Sequence, residues 1–286
     1  MRRQEESSFC EQKEAKKLYP LPRDGHRVSG PAQWKKFFCF FLFTKRSAFF
    51  LLAFPAQAAP DIVSLNLCTD QYLLALAPER AAAVTFLARD PELSVMAAAA
   101  ATVPTVRADA EAVLALHPAL VLAAPWGARA TLDALVRRGV AVERITPPTD
   151  FAGIRATFRH LGARLGASDR AEALLAQMDD APRAAQGAAI ALEPRGLTAG
   201  PGSLRDAVLR AAGLANAGDG RQLSLEALAR TPATLLVLAP PPSYPARATE
   251  FLAHPVLAHH PRQEIPPRLT ICGGPWTAGA VALLAR

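Results

Sequence analysis

Residues 111–125 read EAVLALHPALVLAAP, a stretch that joins a short helix to a buried strand. The apolar spacing up to His117 is typical of a helix, and Pro118 marks a turn. The nearly unbroken apolar run at residues 119–124 is typical of a strand that is covered on both faces. Such strands belong to parallel sheets with helices packed on each side.

Residues 226–240 repeat this arrangement and read EALARTPATLLVLAP. Each stretch places a Glu fourteen residues before a Pro, with a helix, a Pro-containing turn and a buried strand between them. This echo indicates two similar halves, and chance recurrence in a chain rich in Ala and Leu is the alternative.

Strands and helices alternate on both sides of these stretches. IVSLNL at residues 62–67 is the first predicted strand, and Thr69 or Asp70 could cap the helix that follows. AAVTFL at 82–87 and VAVERI at 140–145 are further strands. In the second half we predict a helix at 203–212, the strand TLLVLA and a last strand around RLTIC, residues 268–272. The pattern predicts an α/β fold with mainly parallel sheets flanked by helices.

Between the halves the alternation stops, and two helical stretches follow each other with a break near Gly166. This segment contains little Gly, Ser or Pro, so it predicts a rigid spacer and not a flexible linker. The predicted organisation is a leader at 1–58, an N-terminal α/β lobe at 59–149, a helical spacer at 150–188 and a C-terminal α/β lobe at 189–286.

Net charge does not indicate a nucleic-acid partner. The chain has 286 residues, of which 51% are hydrophobic, and a formal net charge of +7. The first 46 residues hold eleven basic and five acidic side chains, whereas the other 240 hold 21 Arg and 20 acids. The body is therefore nearly neutral and has no electrostatic footprint for nucleic acid.

The leader has the three parts of a secretory signal. Lys45 and Arg46 precede the apolar stretch SAFFLLAF, and small residues at Ala56 and Ala58 predict cleavage after Ala58. A membrane anchor at residues 37–54 is the alternative, disfavoured by the two charges in its middle. Residues 1–33 fit neither a signal nor a domain. The other two cysteines of the chain lie in the leader, so the exported protein would contain only Cys68 and Cys272. These two could pair or remain free.

Motifs for catalysis or metal binding are absent from the sequence: there is no G-x-S-x-G, P-loop, G-x-G-x-x-G, H-E-x-x-H or C-x-x-C. The remaining candidate functional residues lie in loops at the carboxyl ends of strands, where open α/β sheets bind ligands. Aromatic side chains at these ends could grip a large flat ligand. The candidate ligand-binding residues are Asn66, Cys68, Thr69, Asp70, Arg107, Trp126, Tyr244 and Trp276.

Several blocks together carry a family resemblance: IVSLNLCTDQYLLALAPER, EAVLALHPALVLA, GSLRDAVLRAAGLAN, SLEALARTPATLLVLAP and CGGPWTAGAVALL. In this order they resemble the periplasmic substrate-binding proteins of iron–siderophore and vitamin B12 importers. The resemblance implies two lobes joined by one long helix, a ligand in the cleft and little hinge motion. It also implies delivery to an ABC permease through one acidic residue per lobe, and Glu111 and Glu226 match those positions.

We therefore expect a periplasmic, monomeric binding protein without enzymatic activity or cofactor. Its expected ligand is a cobalamin-like corrinoid or a ferric siderophore, and the near-neutral body suits a weakly charged corrinoid. Arg107 could contact anionic groups of the ligand. The alternatives are a heme or metal-ion binder of the same fold, an exported enzyme that uses Asp70 or Cys68, and a surface interaction module.

Overall fold

The computed structural model of the protein describes residues 59–178, 185–231, 234–241 and 247–285. Within them it contains two separate sheets, each made of four parallel strands. We call the part built on the first sheet (residues 62–144) the first lobe and the part built on the second sheet (188–264) the second lobe. The predicted two-lobed α/β architecture is confirmed. The leader and Tyr244 lie outside the described residues.

The first sheet has the strand order β2-β1-β3-β4. Its strands are β1 (Ile62–Ser64), β2 (Ala81–Ala83), β3 (Leu120–Ala123) and β4 (Ala141–Arg144). β1 lies in the middle, with Ile62 opposite both Ala81 and Leu120. The predicted strand at 82–87 is shorter than expected, because a 3₁₀ turn begins at Phe86.

Helices cover both faces of this sheet. They are α1 (Leu67–Leu76), α2 (Ala97–Ala100), α3 (Ala110–Leu114) and α4 (Arg129–Arg137). Successive strand residues point to opposite faces, so Ile62 packs in the core with α1, whereas Val63 packs on the other side with Leu132 and Leu135 of α4.

The predicted spacer is a pair of helices, α5 (Phe151–Leu165) and α6 (Ser168–Ala176). The predicted break is confirmed: Gly166 ends α5 in the left-handed conformation at φ 70°. The two helices fold against each other, and Gly162 lies so close to Ala171 that an added Cβ would be 2.7 Å from the Ala171 Cβ. One continuous interlobe helix, implied by the resemblance, is therefore absent from this part of the structure.

The second sheet has the order β6-β5-β7-β8. Its strands are β5 (Ala188–Ala191), β6 (Ala215–Asn216), β7 (Leu235–Leu238) and β8 (Arg262–Glu264). The helices of the second half are α7 (Leu204–Ala212), α8 (Leu225–Arg230) and α9 (Thr277–Leu284). α7 and α9 pack on one face of the sheet, and Leu228 of α8 packs on the other.

The prediction of a last strand around RLTIC is wrong. The strand is the polar β8, and RLTIC forms a 3₁₀ turn (Pro267–Leu269) followed by a bend. Pro266 and Pro267 precede it and have no N–H to donate to a sheet. Among the described residues, no helix has the length and apolarity that a membrane crossing requires.

Candidate ligand-binding edges

Three loops follow neighbouring strands of the first sheet and lie at its carboxyl edge. Asn66 follows β1, Phe86 follows β2 and Trp126 follows β3. Because β2, β1 and β3 are parallel and adjacent, the two aromatic residues flank the loop of Asn66. Phe86 is 72% exposed and Trp126 is 61% exposed, so the edge carries two large apolar side chains in solvent.

Local backbone structure explains why these side chains protrude. Trp126 precedes Gly127 and Ala128, both of which have positive φ values (75° and 44°), so the chain turns sharply from β3 into α4. Asn66 caps α1, since its Oδ1 accepts a hydrogen bond from the Cys68 N–H at 2.9 Å. The expected cap at Thr69 or Asp70 is wrong, because α1 begins at Leu67.

Thr69 and Asp70 are interior residues and not cleft residues. Thr69 is 1% exposed, and its hydroxyl is hydrogen-bonded to Ser64 Oγ at 2.8 Å and to the Asn66 carbonyl at 3.0 Å. The Asp70 carboxylate accepts hydrogen bonds from the N–H and the hydroxyl of Thr85, the residue before Phe86. Both side chains therefore act within the loops that position Asn66 and Phe86.

Burial changes the acidity of Asp70. Desolvation raises the pKa of its carboxyl group to about 6, and hydrogen bonds from Ser64 and Thr85 oppose that shift only in part. A carboxyl group without solvent contact has no direct access to a cleft ligand.

Cys68 and Trp276 lie where the two halves of the chain meet. Cys68 forms a disulfide with Cys272, 204 residues later in the sequence. The Trp276 indole stacks on Tyr72 of α1 with a centroid separation of 6.2 Å and meets Phe158 of α5 edge-on at 5.9 Å. Its N–H donates to the Cys272 carbonyl at 2.9 Å. Trp276 is thus a partly buried packing residue and not an exposed wall.

The remaining predicted residues have different positions. Arg107 is exposed on the loop before α3. Glu111 and Glu226 are exposed in the first turns of α3 and α8, as the internal echo predicted. The side-chain oxygens of Asp109 and Ser224 cap these two helices. Each glutamate is therefore the second residue of its helix, two positions after the cap.

The carboxyl edge of the second sheet carries an ion pair that the sequence analysis missed. Arg205 of α7 lies 3.5 Å from Glu193, which follows β5. Desolvation lowers the pKa of Arg205. It lines a cavity of about 10 Å³ with Thr270, which is room for roughly one water molecule. The sequence feature that could have indicated this ion pair is Arg205 in GSLRDA, because it lies at the start of a helix that follows a strand of the sheet.

Phe86 was also missed, since the strand prediction extended over it. An aromatic residue at the end of an apolar run is as easily assigned to the strand as to the loop that follows. Of the predicted ligand-binding residues, the structure places Asn66 and Trp126 at one edge, buries Cys68, Thr69 and Asp70 beneath it, and leaves Tyr244 outside the described residues.

No cluster of three or more His, Cys, Asp or Glu side chains able to hold a metal occurs among the described residues. His259 and His260 precede β8, so they lie towards the amino edge of the second sheet. The His260 ring is hydrogen-bonded within that edge, where its Nδ1 accepts from the Thr234 N–H at 3.4 Å.

The comparisons with known proteins agree with this architecture. The model of the family described as periplasmic binding protein matches residues 62–261. No curated protein gives a match to the chain.

Three solved structures illustrate the likeness. A periplasmic heme-binding protein from Pseudomonas aeruginosa is 25% identical; the alignment covers 79% of this chain and 91% of that chain, with a TM-score of 0.59. The periplasmic heme-binding protein RhuT from Roseiflexus sp. RS-1 is 22% identical over 79% and 97%, with a TM-score of 0.60. A possible iron-binding (periplasmic solute-binding) protein from Staphylococcus epidermidis ATCC 12228 is 17% identical over 79% and 97%, with a TM-score of 0.59.

Proposed function

Because this chain belongs to the periplasmic binding protein family, we propose that it captures a corrinoid or a ferric siderophore between its two lobes for an ABC importer. Members of this family are binding proteins and not enzymes. Family membership implies an ABC permease as partner, a small molecule as ligand and a periplasmic location.

The observation that carries the proposal is the pair of exposed aromatic side chains at one sheet edge. Phe86 and Trp126 flank the polar Asn66 and expose most of their surface. Small-molecule sites combine apolar and aromatic walls with a few polar groups that fix orientation. A large, flat, weakly charged molecule matches such an edge better than a small ion does.

The choice of ligand class rests on coordination chemistry. Heme iron in proteins takes an axial His, Cys, Met or Tyr. Near the carboxyl edges several of these side chains are occupied or packed: Cys68 is in a disulfide, Tyr72 is fully buried, and Met96 packs against the core of the first lobe. His259 and His260 belong to the opposite edge, and His254 lies in the connection from β7 to β8. This favours a ligand whose metal is already fully coordinated, as in a corrinoid or a ferric siderophore.

Heme is the second candidate, and one observation favours it. The 25% identical Pseudomonas aeruginosa protein is a heme-binding protein. In that case the axial ligand would be Tyr244, which belongs to the Pro-rich sequence PPPSYP after β7 and lies outside the described residues.

Parallel titrations separate these ligands. We expect cobalamin or a ferric siderophore to quench the tryptophan fluorescence of the purified chain saturably, with one-to-one stoichiometry. Heme binding that is lost in Tyr244→Phe would select the second candidate. If none of the three ligands binds, the proposal is wrong. Turnover that depends on Asp70 would instead select an exported enzyme.

We further propose how the protein reaches and serves its partner. Cleavage after Ala58 would release the chain into the periplasm as a monomer. Glu111 and Glu226, one on each lobe, would then dock on the permease through exposed carboxylates at equivalent helix starts.

A further inference from the structure

After β8, the chain returns from the second lobe to contact the first lobe. Residues 266–276, which we call the crossing segment, leave β8 of the second lobe, contact the first lobe and continue into α9. α9 then packs with α7 on the second sheet, as Val281 and Leu284 show. The crossing segment is therefore held by the first lobe although both of its ends belong to the second.

Four kinds of contact hold the crossing segment on the first lobe and on two residues that follow this lobe, Pro148 and Phe158. Arg268 donates to the Pro91 carbonyl at 3.3 Å. Cys272 is bonded to Cys68, and Trp276 packs on Tyr72 and Phe158. At Gly273 the backbones approach so closely that an added Cβ would lie 2.7 Å from the Pro148 carbonyl oxygen.

These contacts run along the helix that begins at the proposed site. Cys68 and Tyr72 are four residues apart and thus on one face of α1. The N–H of Cys68 also donates a hydrogen bond to the side chain of Asn66. This single hydrogen bond connects the disulfide-bonded Cys68 to Asn66, the polar residue between Phe86 and Trp126. Cys68 is 8% exposed and Cys272 is fully buried, which keeps both sulfur atoms away from a ligand.

We propose that the Cys68–Cys272 disulfide and the crossing segment set the spacing between the two binding edges, so that both cysteines are positioning residues for ligand capture. This inference rests on the proposed function. The main chain passes from the first lobe to the second through the stretch that contains α5 and α6, and a single main-chain connection permits rotation about itself. The packing of Leu204 of α7 and Ala278 of α9 in the core with α1 opposes this rotation without a covalent bond. The Cys68–Cys272 disulfide adds a second covalent connection, at α1. It prevents that rotation and keeps the two binding edges at the separation needed for ligand binding.

A ligand-free distance measurement tests the spacing itself. Spin labels on p-acetylphenylalanine at Ala130 and Ala229, both exposed and one in each lobe, report the interlobe distance. We expect a single narrow distribution in the wild type and a broadened one in Cys68→Ala with Cys272→Ala. A distribution that stays narrow overturns the proposal, whatever the ligand proves to be.

Ligand kinetics test the consequence. We expect the double alanine variant to release cobalamin or a ferric siderophore at least about tenfold faster than the wild type. The matched control is Leu135→Ala, which truncates a fully buried side chain on the opposite face of the first sheet and should leave the release rate unchanged. An equal effect in the control would mean that lost stability, and not interlobe spacing, causes the release.

A third variant leaves the disulfide in place. Gly273→Ala forces the crossing segment away from Pro148, so we expect a shifted interlobe distance and faster release although the cysteines remain bonded. An unchanged distance in Gly273→Ala would contradict the proposal even if the double alanine variant fails to fold. Absence of binding in the wild type would refute the proposed function and leave the distance measurement to decide this inference.

Discussion

Asp70 illustrates how a residue can matter to a site without touching the ligand. Its carboxylate is fully buried and binds the backbone and hydroxyl of Thr85, next to the exposed Phe86. Sequence reasoning could place Asp70 after the first strand, but it could not show which way the side chain points. One turn of helix separates the half-buried cap Asn66 from Asp70 in the fully buried interior.

We predict that the free energy of unfolding depends on pH through the titration of Asp70. Its folded-state pKa is raised to about 6 from 3.8, so the folded protein holds a proton that the unfolded chain has released. The contribution of Asp70 to the free energy of unfolding is therefore greatest below about pH 4 and declines as pH rises to about 6, by up to roughly 3 kcal/mol. Urea denaturation from pH 4 to 7 should show a flatter profile in Asp70→Asn. Identical slopes in both proteins would contradict this assignment.

Phe86 and Trp126 should carry binding free energy but little stability. We expect Trp126→Ala and Phe86→Ala each to weaken ligand affinity by about 10- to 100-fold, since truncated aromatic contacts are common hot spots. The midpoint of thermal unfolding should change little, because both side chains are largely exposed. Val136→Ala, an exposed residue on α4, serves as the control. Full affinity in both aromatic variants would remove these residues from the site.

At the scale of elements, strand–helix alternation was enough to predict the architecture. Buried apolar runs such as LVLA and LLVL became strands β3 and β7, and Gly166 broke the spacer as expected. The polar β8 could not be predicted, since RQE has no apolar pattern and lies at the edge of its sheet. RLTIC has a strand-like composition, yet its bend brings Cys272 to α1.

The equivalent helices α3 and α8 lead to a prediction about transport. Glu111→Ala combined with Glu226→Ala should abolish uptake in cells while leaving ligand affinity unchanged, because both carboxylates are exposed in first turns. Asp169→Ala, which removes an exposed acid from the first turn of α6, is the matched control and should transport normally. Reduced affinity in the double variant would mean that the glutamates line the cleft.

At the scale of the whole molecule, the disulfide should be a main source of stability. It closes a loop across 204 positions and so restricts the unfolded chain. We predict that Cys68→Ala with Cys272→Ala lowers the free energy of unfolding by about 2–4 kcal/mol in urea denaturation. A loss below about 1 kcal/mol would show that the packing of Trp276 and Gly273 holds the lobes without it.

The pairing of Cys68 with Cys272 also marks the limit of sequence reasoning. Export left two cysteines, but whether they approach each other depends on how one lobe sits on the other. The same limit applies to Trp276, which follows an apolar run at the end of the chain and was expected at the cleft. Its position in the Tyr72 and Phe158 cluster arises from packing between the halves.

In the proposed function, the ligand binds between the carboxyl edges of the two sheets. Hydrogen exchange of the chain with and without cobalamin or a ferric siderophore tests this most directly. We predict slower exchange in the loops after β1, β2 and β3 (residues 65–69, 84–89 and 124–128) together with residues 192–205 of the second lobe. Protection confined to one lobe, or to the loops that precede the strands, would contradict it.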